Sequence, residues 1–527
     1  MTNSIGEIDD AGTMFVIGAN TTQAHPVIGH RMRRAAQNGA KIIVANPKEI
    51  DLVRVADDFI QHRPGSDVPL LMGMARYIIE NDLHDKEFIA EKTENFEAFK
   101  ESLEPFTPEF VEEITGVPWE KIAHVAHVYA TNKPASIFYA MGITQHTHGT
   151  DNVMAVANLA MLTGSVGKPS TGVNPLRGQN NVQGACDLGG LPNVYPGYQK
   201  VNDPAVKEKF EQAWDRELSG EIGLTHTEIF DAILDGEIKA LYMVGENPVL
   251  TEADAKHARK ALEELDFLVS QDIFLTESGE YADVVLPAAS FAEKDGTFTN
   301  SERRVQRVRA VIPPRGEAKP DWWITSQIAQ RMGEEGFDYE SSAEIMAEIN
   351  AVSPIYGGIT YERIEDVGLQ WPCRDEDDPG TMFLHKGEFA RGKGHFVPLE
   401  YKPSAEAADR EYPLILTTDR NLYHFHSSTM TRRVEGLEEL NSEELVKINP
   451  ADAEQYGIED GQMVEVTSRR GTVKARADVT DICRPGLISM TFHFFESPTN
   501  EITSPALDPV AKIPETKVAA VRVEAVE

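Results

Sequence analysis

Cysteine is nearly missing from this 527-residue chain, which holds only Cys186, Cys373 and Cys483, each more than a hundred positions from the next. With no C-x-x-C pair, neither a cysteine zinc site, a disulfide framework nor an iron–sulfur cluster held by these residues is legible, and a reducing compartment is implied. Positive charge is scarce as well: 50 Lys plus Arg stand against 85 Asp plus Glu, a formal net charge of −35. That sign opposes binding to nucleic acid or to an anionic membrane. The acids are scattered and form no tail, as on a solvated acidic surface whose self-repulsion concentrated salt would screen. No apolar run reaches membrane-spanning length, and the opening MTNSIGEIDDAG lacks the basic and apolar regions of an export signal. A cytoplasmic setting, without direct membrane insertion, is the expectation.

The length calls for two to four domains. An apolar run at 13–17 ends in Gly18-Ala19-Asn20, a helical stretch follows to Gly39, and KIIVANP is a second apolar run. Strand, helix and strand with tight connections make the unit of a parallel sheet. The pattern repeats in IKALYMVGENP, TEADAKHARKALEEL and DFLVSQD. Each unit therefore sets a Gly-x-Asn turn (Gly18 to Asn20, Gly245 to Asn247) beside a second polar loop, at Asn46 and at Gln271-Asp272. In open α/β sheets nucleotides bind at that edge, where glycine admits a phosphate to the backbone. An ordinary pair of α/β domains with glycine turns would give the same pattern. ASIFYA, running into Met141, Gly142, Thr144 and Gln145, reads as a further strand of the first sheet, and ADVVLPAA as one of the second.

From 372 to 411 the pattern dissolves into charged, proline-spotted sequence, which places a boundary near 405. Beyond it short β runs dominate, with a hairpin turn at Arg470-Gly471 and one helix capped by Asn449 and opened by Pro450. A small closed or nearly closed barrel is the natural reading. The expected class is α/β: two Rossmann-like parallel-sheet domains, 1–179 and 180–404, followed by a six-stranded β-barrel of double-psi type at 405–527.

Residues 174–198, NPLRGQNNVQGACDLGGLPNVYPGY, carry amides and glycine without periodicity and a lone arginine, Arg177. Gln179, Asn180, Asn181 and Gln183 could match the donor and acceptor edge of a flat heterocycle without adding charge, or could bond the loop to itself. The basic run ERRVQRVR at 302–309 alternates like a half-exposed strand, suited either to phosphates or to surface salt bridges.

That segment, with MLTGSVGKPSTGVNP, GENPVLTEAD, QDIFLTESGEYADVVLPAASFAEKDGTFTNSERRVQR, HSSTMTRR and INPADAEQYGIEDGQMVEV, closely resembles the catalytic (alpha) subunits of formate dehydrogenases in the molybdopterin oxidoreductase family. The resemblance spans essentially the whole chain. It implies two-electron oxidation of formate to carbon dioxide, or the reverse, at a Mo or W ion held by two molybdopterin guanine dinucleotides. One dinucleotide would be served by Gly18, Asn20, Asn46, Lys48, Met141, Gly142, Thr144 and Gln145, with Gln179 at a pterin, and the other by Gly245, Glu246, Asn247, Gln271 and Asp272. Arg420, His424, His493, Asn500 and Lys517 would add contacts from the barrel. Arg177 is the implied catalytic residue, because a guanidinium can hold both formate oxygens in one fork.

Asn46-Pro47-Lys48 departs from the Asp-Pro-Arg frequent in the family and so loses a carboxylate that could grip guanine. A [4Fe–4S] cysteine set and a Cys or selenocysteine metal ligand normally precede the region seen here; neither is present, no metal ligand is assigned, and Met1 is expected to be an internal methionine of a longer reading frame. Electrons would then leave through a partner subunit or an NAD- or ferredoxin-type carrier. The alternative is a cofactor-binding scaffold, inactive alone.

Overall fold

The computed structural model describes residues 1–526. Its packing divides the chain into two units. Unit 1 comprises Met1–Gly178, Leu250–Ala255 and Phe383–Glu527; unit 2 comprises Gln179–Val249 and Lys256–Met382.

In unit 1, strands β1 (Thr13–Ile17), β2 (Lys41–Ala45), β3 (Asp58–Ile60), β4 (Ala135–Tyr139) and β5 (Gly172–Pro175) form one parallel sheet in the order β3-β2-β1-β4-β5. Because side chains alternate across a strand, Phe15 and Ile17 face one layer of helices while Met14 and Val16 face another. Strands sealed on both faces explain the unbroken apolar runs that marked them in the sequence. Helix α1 (Pro26–Gln37) lies between β1 and β2, packs Ile28, Met32 and Ala35 on the second face, and stops at Asn38 before left-handed Gly39. The first face is completed from far along the chain: Phe396 and Leu399 join its core, and the Asn158 amide bonds both backbone groups of Val397.

In unit 2, β6 (Ala240–Val244), β7 (Phe267–Asp272) and β8 (Val284–Pro287) form a second parallel sheet, of three strands, in the order β8-β7-β6. Helices α2 (His226–Leu234) and α3 (Ala255–Glu263) supply Phe230, Ile233, Ala258, Ala261 and Leu262 to one face, against Met243 and Leu268. An antiparallel sheet of β9 (Gly296–Thr299), β10 (Arg304–Val308) and β11 (Leu369–Gln370) holds the basic run. The arginines there satisfy the chain itself. Arg304 pairs with Glu302, Arg307 and Arg309 with Glu365, and fully buried Arg303 donates to the carbonyls of Trp371, Thr381 and Met382.

The closing part of unit 1 is a closed barrel of β12 (Leu414–Thr418), β13 (Leu445–Ile448), β14 (Met463–Ser468), β15 (Thr472–Val479), β16 (Leu487–Met490) and β17 (Ala519–Ala525). Its ladder runs β12-β16-β13-β15-β14-β17 and returns to β12, with β12–β16 and β13–β15 parallel and the other pairs antiparallel. Alternate residues such as Val464, Val466, Ile488 and Val521 fill the interior. The one helix predicted here is present, Pro450–Tyr456, and the Asn449 side chain accepts from Ala451 N at 2.9 Å. Among the described residues no helix is long and apolar enough to cross a membrane.

Candidate functional site

In the first sheet β1 and β4 are neighbours whose following helices leave in opposite directions, the place where loops part and a crevice opens in such folds. The loop after β1 carries Gly18, the loop after β4 carries Gly142, and Gly142 N donates to Gly18 O at 3.0 Å. A Cβ on Gly142 would come within 2.5 Å of Gly18 O, and one on Gly18, which has φ +56°, within 2.8 Å of the Gly142 carbonyl carbon. Both positions therefore require glycine.

A cleft of about 570 Å³, counting the space at its mouth, opens beside this contact within unit 1. Gly18, Asn20, Asn46, Lys48, Gly142 and Lys517 of the predicted set line it. Met141 and Thr144 form the single helical turn Met141–Thr144, and Gln145 closes it through its N–H to Met141 O at 3.0 Å. Asn46 Oδ1 accepts from Lys48 N at 3.2 Å, so the amide shapes the turn between β2 and the cleft.

The cleft also contains charged groups that no local motif announces. Lys48 is buried in an ion pair with Asp419 and reaches Ser489 Oγ at 3.3 Å. Burial opposes the Asp419 charge, yet the Lys48 ammonium and its hydrogen bond hold the carboxyl below its usual range. Lys517 donates to Thr418 O at 2.8 Å and to Thr418 Oγ1 at 3.0 Å, and burial lowers its ammonium to about 8. His62 is bonded through Nε2 to Asp67 at 3.0 Å. Asn20 Oδ1 and His62 Nδ1 are buried with no hydrogen-bond partner. Two touching glycines, two lysines and unpartnered polar atoms in one cleft fit a phosphate-bearing polar ligand such as a dinucleotide.

Arg177 is half-buried at the end of unit 1. Its carbonyl is bonded to His25 Nε2 at 2.7 Å, and Arg420 Nη1 donates to the next carbonyl, Gly178 O, at 3.2 Å. Tyr139, the last residue of β4, is pushed up to about 12 by burial, a rise that the Arg177 charge partly offsets. Around Arg420 the imidazoles are kept neutral: burial first, then the Arg420 charge, lowers His426 to about 3, while burial chiefly lowers His493 to about 4. His493 Nδ1 bonds His426 O at 2.5 Å, and its Nε2 accepts from Asn421 N at 3.1 Å. The neighbourhood thus holds guanidinium charge amid neutral rings. His25, Tyr139 and His426 escaped the sequence reading because their roles depend on contacts far apart in the chain.

Two other predicted barrel residues are spent internally. His424 Nε2 bonds Asn441 O at 2.5 Å, and Asn500 Nδ2 donates to the carbonyls of Leu250 and Thr251 at 3.0 and 3.1 Å.

In unit 2, Gly245 has φ +65°, with nothing within 4 Å of a notional Cβ, and exposed Glu246 follows it. Asn247 is buried, donating to Glu277 at 2.7 Å and accepting from Ser278 N and Oγ. Gln271, at the end of β7, accepts from the Tyr242 hydroxyl and donates to Asp321 at 2.8 Å, and Asp272 Oδ1 accepts from Ile273 N at 2.6 Å. The structure brings these five together at the carboxyl edge of β6 and β7.

The amide-rich loop has an acidic centre. Asp187 is buried and accepts four neutral donors: Gln183 Nε2 at 2.8 Å, Tyr198 and Tyr356 hydroxyls at 2.7 Å each, and Trp371 Nε1 at 2.6 Å. Burial raises its carboxyl, and the four donors oppose that rise. Asn181 Oδ1 accepts from Thr299 N at 2.9 Å. Gln183 therefore turns to the loop itself and Asn181 to β9, whereas Gln179 is half-buried and Asn180 exposed.

The Molybdopterin oxidoreductase family model matches residues 1–331, and that of the Molydopterin dinucleotide binding domain matches 414–520. The F420-dependent formate dehydrogenase subunit alpha of Methanocaldococcus jannaschii is 49% identical over 99% of this chain and 78% of its own length. Formate dehydrogenase H of Escherichia coli is 42% identical over 99% of this chain and 74% of its own. Acetylene hydratase from Pelobacter acetylenicus shares the fold, with a TM-score of 0.77 at 20% identity, covering 99% of this chain and 79% of that one. The fold thus has a solved counterpart, and the chain belongs to the molybdopterin oxidoreductase family, with formate dehydrogenase alpha subunits among its relatives.

Proposed function

We propose that this chain is the cofactor-bearing body of a formate dehydrogenase. Formate is oxidised to carbon dioxide with release of one proton and two electrons, or carbon dioxide is reduced by the reverse, and the electrons pass to an external carrier through a partner. Two molybdopterin guanine dinucleotides holding Mo or W would supply the two-electron acceptor when bound.

The chain's own residues would divide the work. Gly18, Asn20, Asn46, Lys48, Gly142 and Lys517 hold one dinucleotide in the cleft, with Met141, Thr144 and Gln145 shaping its wall. Gly245, Glu246, Asn247, Gln271 and Asp272 hold the other, Gln179 faces a pterin, and Arg420 and His493 carry the barrel's contribution. His424 and Asn500 brace backbone and act through what they position. Arg177 binds the formate carboxylate in a two-pronged grip that fixes where the carbon-bound hydrogen points.

The observation that carries this reading is the anchoring of Arg177. Its backbone is bonded by His25 on one side and by Arg420 at Gly178 on the other, in surroundings where the nearby histidines stay neutral. A small anion there meets guanidinium charge that no ionised imidazole shares. The test is Arg177→Lys in the holoenzyme purified anaerobically from its host. Metal and pterin content should be unchanged while formate-dependent dye reduction falls ~100-fold, the scale of a misplaced substrate. Unaltered kinetics overturn the role of Arg177; absence of metal and pterin from the unsubstituted protein overturns the whole reading.

A further inference from the structure

Two arginines, Arg63 and Arg484, converge beyond the end of β3 without a carboxylate between them. Within unit 1 a cavity of about 720 Å³, counting its mouth, is walled by Gln61, Gly116, Pro118, Lys121, Arg484 and Pro485. A Cβ on Gly116 would stand 3.0 Å from Arg484 Nη2 and 3.2 Å from Arg63 Cζ, so both guanidiniums flank one point of that wall. Among the described residues neither arginine, nor Lys121, forms an ion pair. Elsewhere Arg304, Arg307 and Arg432 each hold a glutamate. In a chain where 85 acids face 50 bases, three cations gathered without a counter-ion are a local reversal of sign.

The backbone uses only part of this charge. Arg63 Nη1 donates to Glu113 O at 2.6 Å and to Ile114 O at 3.4 Å, near the end of helix Pro108–Thr115, and Arg484 Nη1 donates to Gln61 O at 3.1 Å. A helix end offers roughly half a negative charge against two full positive ones. Nε and Nη2 of both guanidiniums make no hydrogen bond to the protein, and such forks match the oxygens of an oxyanion. Burial, and then the Arg63 charge, hold Arg484 below its ordinary value. A bound anion would relieve that repulsion. Pro118 is the N-cap of helix Trp119–Thr131 and Lys121 lies in its first turn, so the positive end of that helix adds to the same field. Glu120 shares the turn but not the cavity wall.

We propose that this cavity binds a phosphate group, brought by free phosphate or by a small phosphate ester whose organic part would lie over the exposed rings of Pro118 and Pro485. The volume is in the range of small-ligand sites. The walls also connect it to the cleft that holds Lys48: Gln61 lines this cavity while His62 and Pro64 line the cleft, and Arg484 follows Cys483, which is bridged to Lys48. An anion here would fasten two segments, 61–64 and 482–485, that border both. The assignment is independent of formate chemistry and of bound cofactor.

The probes are inorganic phosphate and glycerol 3-phosphate, titrated calorimetrically into the purified full chain between about pH 8 and 9.5 at constant ionic strength. Both should bind with an affinity that holds across that range, because guanidinium does not titrate there, and amide hydrogen exchange in residues 116–121 and 482–486 should slow at least ~5-fold. Arg63→Gln and Arg484→Gln should each weaken binding about tenfold, the scale of a lost charge-assisted hydrogen bond. Lys121→Gln, which removes no backbone contact, should weaken it about threefold while circular dichroism and Tm of the chain alone stay unchanged. Tighter binding of glycerol 3-phosphate gives the site to phosphate esters, and equal binding gives it to the free ion. The proposal is overturned if neither probe binds, if chloride at the same concentration protects these residues equally, or if both arginine substitutions leave the affinity unaltered. It is equally overturned if all binding fades between about pH 8 and 9.5, which would place the anion at Lys517 instead.

Discussion

Lys517→Met isolates the energetic cost of preparing the cleft for an anion. The ammonium of Lys517 is lowered by burial from the ordinary 10.5 to about 8. At about 1.4 kcal/mol per tenfold change in proton affinity, and allowing for water that reaches the half-exposed stem, the charge costs the native state ~2–3 kcal/mol at neutral pH. Methionine removes that cost and also the bonds to Thr418, a loss of ~1 kcal/mol. The variant should therefore be ~1–2 kcal/mol more stable at pH 7. Between pH 8 and 10.5 the unfolded chain binds more protons at Lys517 than the native one, so wild-type stability rises with pH and the difference shrinks. Above 10.5 both states hold a neutral amine, and the variant should be ~1 kcal/mol less stable. Urea unfolding followed by circular dichroism at intervals from pH 7 to 11 measures the crossing. Parallel wild-type and variant profiles, or a variant less stable throughout, would refute the argument.

Guanosine diphosphate titrated calorimetrically into the full chain should bind with proton uptake near pH 8.5 and more weakly, by about tenfold, at pH 9.5, as Lys517 loses its charge; pH-independent binding would separate Lys517 from the anion. Gly142→Ala should lower stability by ~2–4 kcal/mol through overlap with Gly18, read as a fall in the urea midpoint. Asp187→Ala strands four donors, two of them on the buried Gln183 and Tyr356 side chains, and should cost at least ~2 kcal/mol. Hydrogen exchange would then accelerate first in residues 179–198; uniform acceleration across the protein would deny Asp187 its place at the loop's centre.

Much of the scaffold could be read before any coordinates. Both strand–helix–strand units, the β character beyond residue 405 and the Asn449 cap are local patterns, set by alternation, glycine turns and capping chemistry. The cleft was half legible. Gly18, Asn20, Asn46 and Lys48 announce themselves beside a strand end, but Asp419, which neutralises Lys48, and Asp67, which holds His62, come from segments that no spacing rule links to them. Asp67 and Asp419 line the same cleft as Asn46, brought there by tertiary packing. In the amide-rich loop the sequence showed hydrogen-bonding capacity without direction. Burial of Asp187 decided that Gln183 turns inward, and a buried acid is invisible to composition.

The hold of Asn158 on Val397 bears on biosynthesis. When the ribosome has released the first five strands, their inner layer still lacks Phe396 and Leu399, and more than two hundred residues remain to be translated before it closes. The nascent segment through Pro175 must wait with apolar surface uncovered, a state prone to aggregate. Expression at reduced translation temperature, or with chaperones that shelter incomplete sheets, should raise the yield of this chain more than that of a protein whose domains are contiguous in sequence.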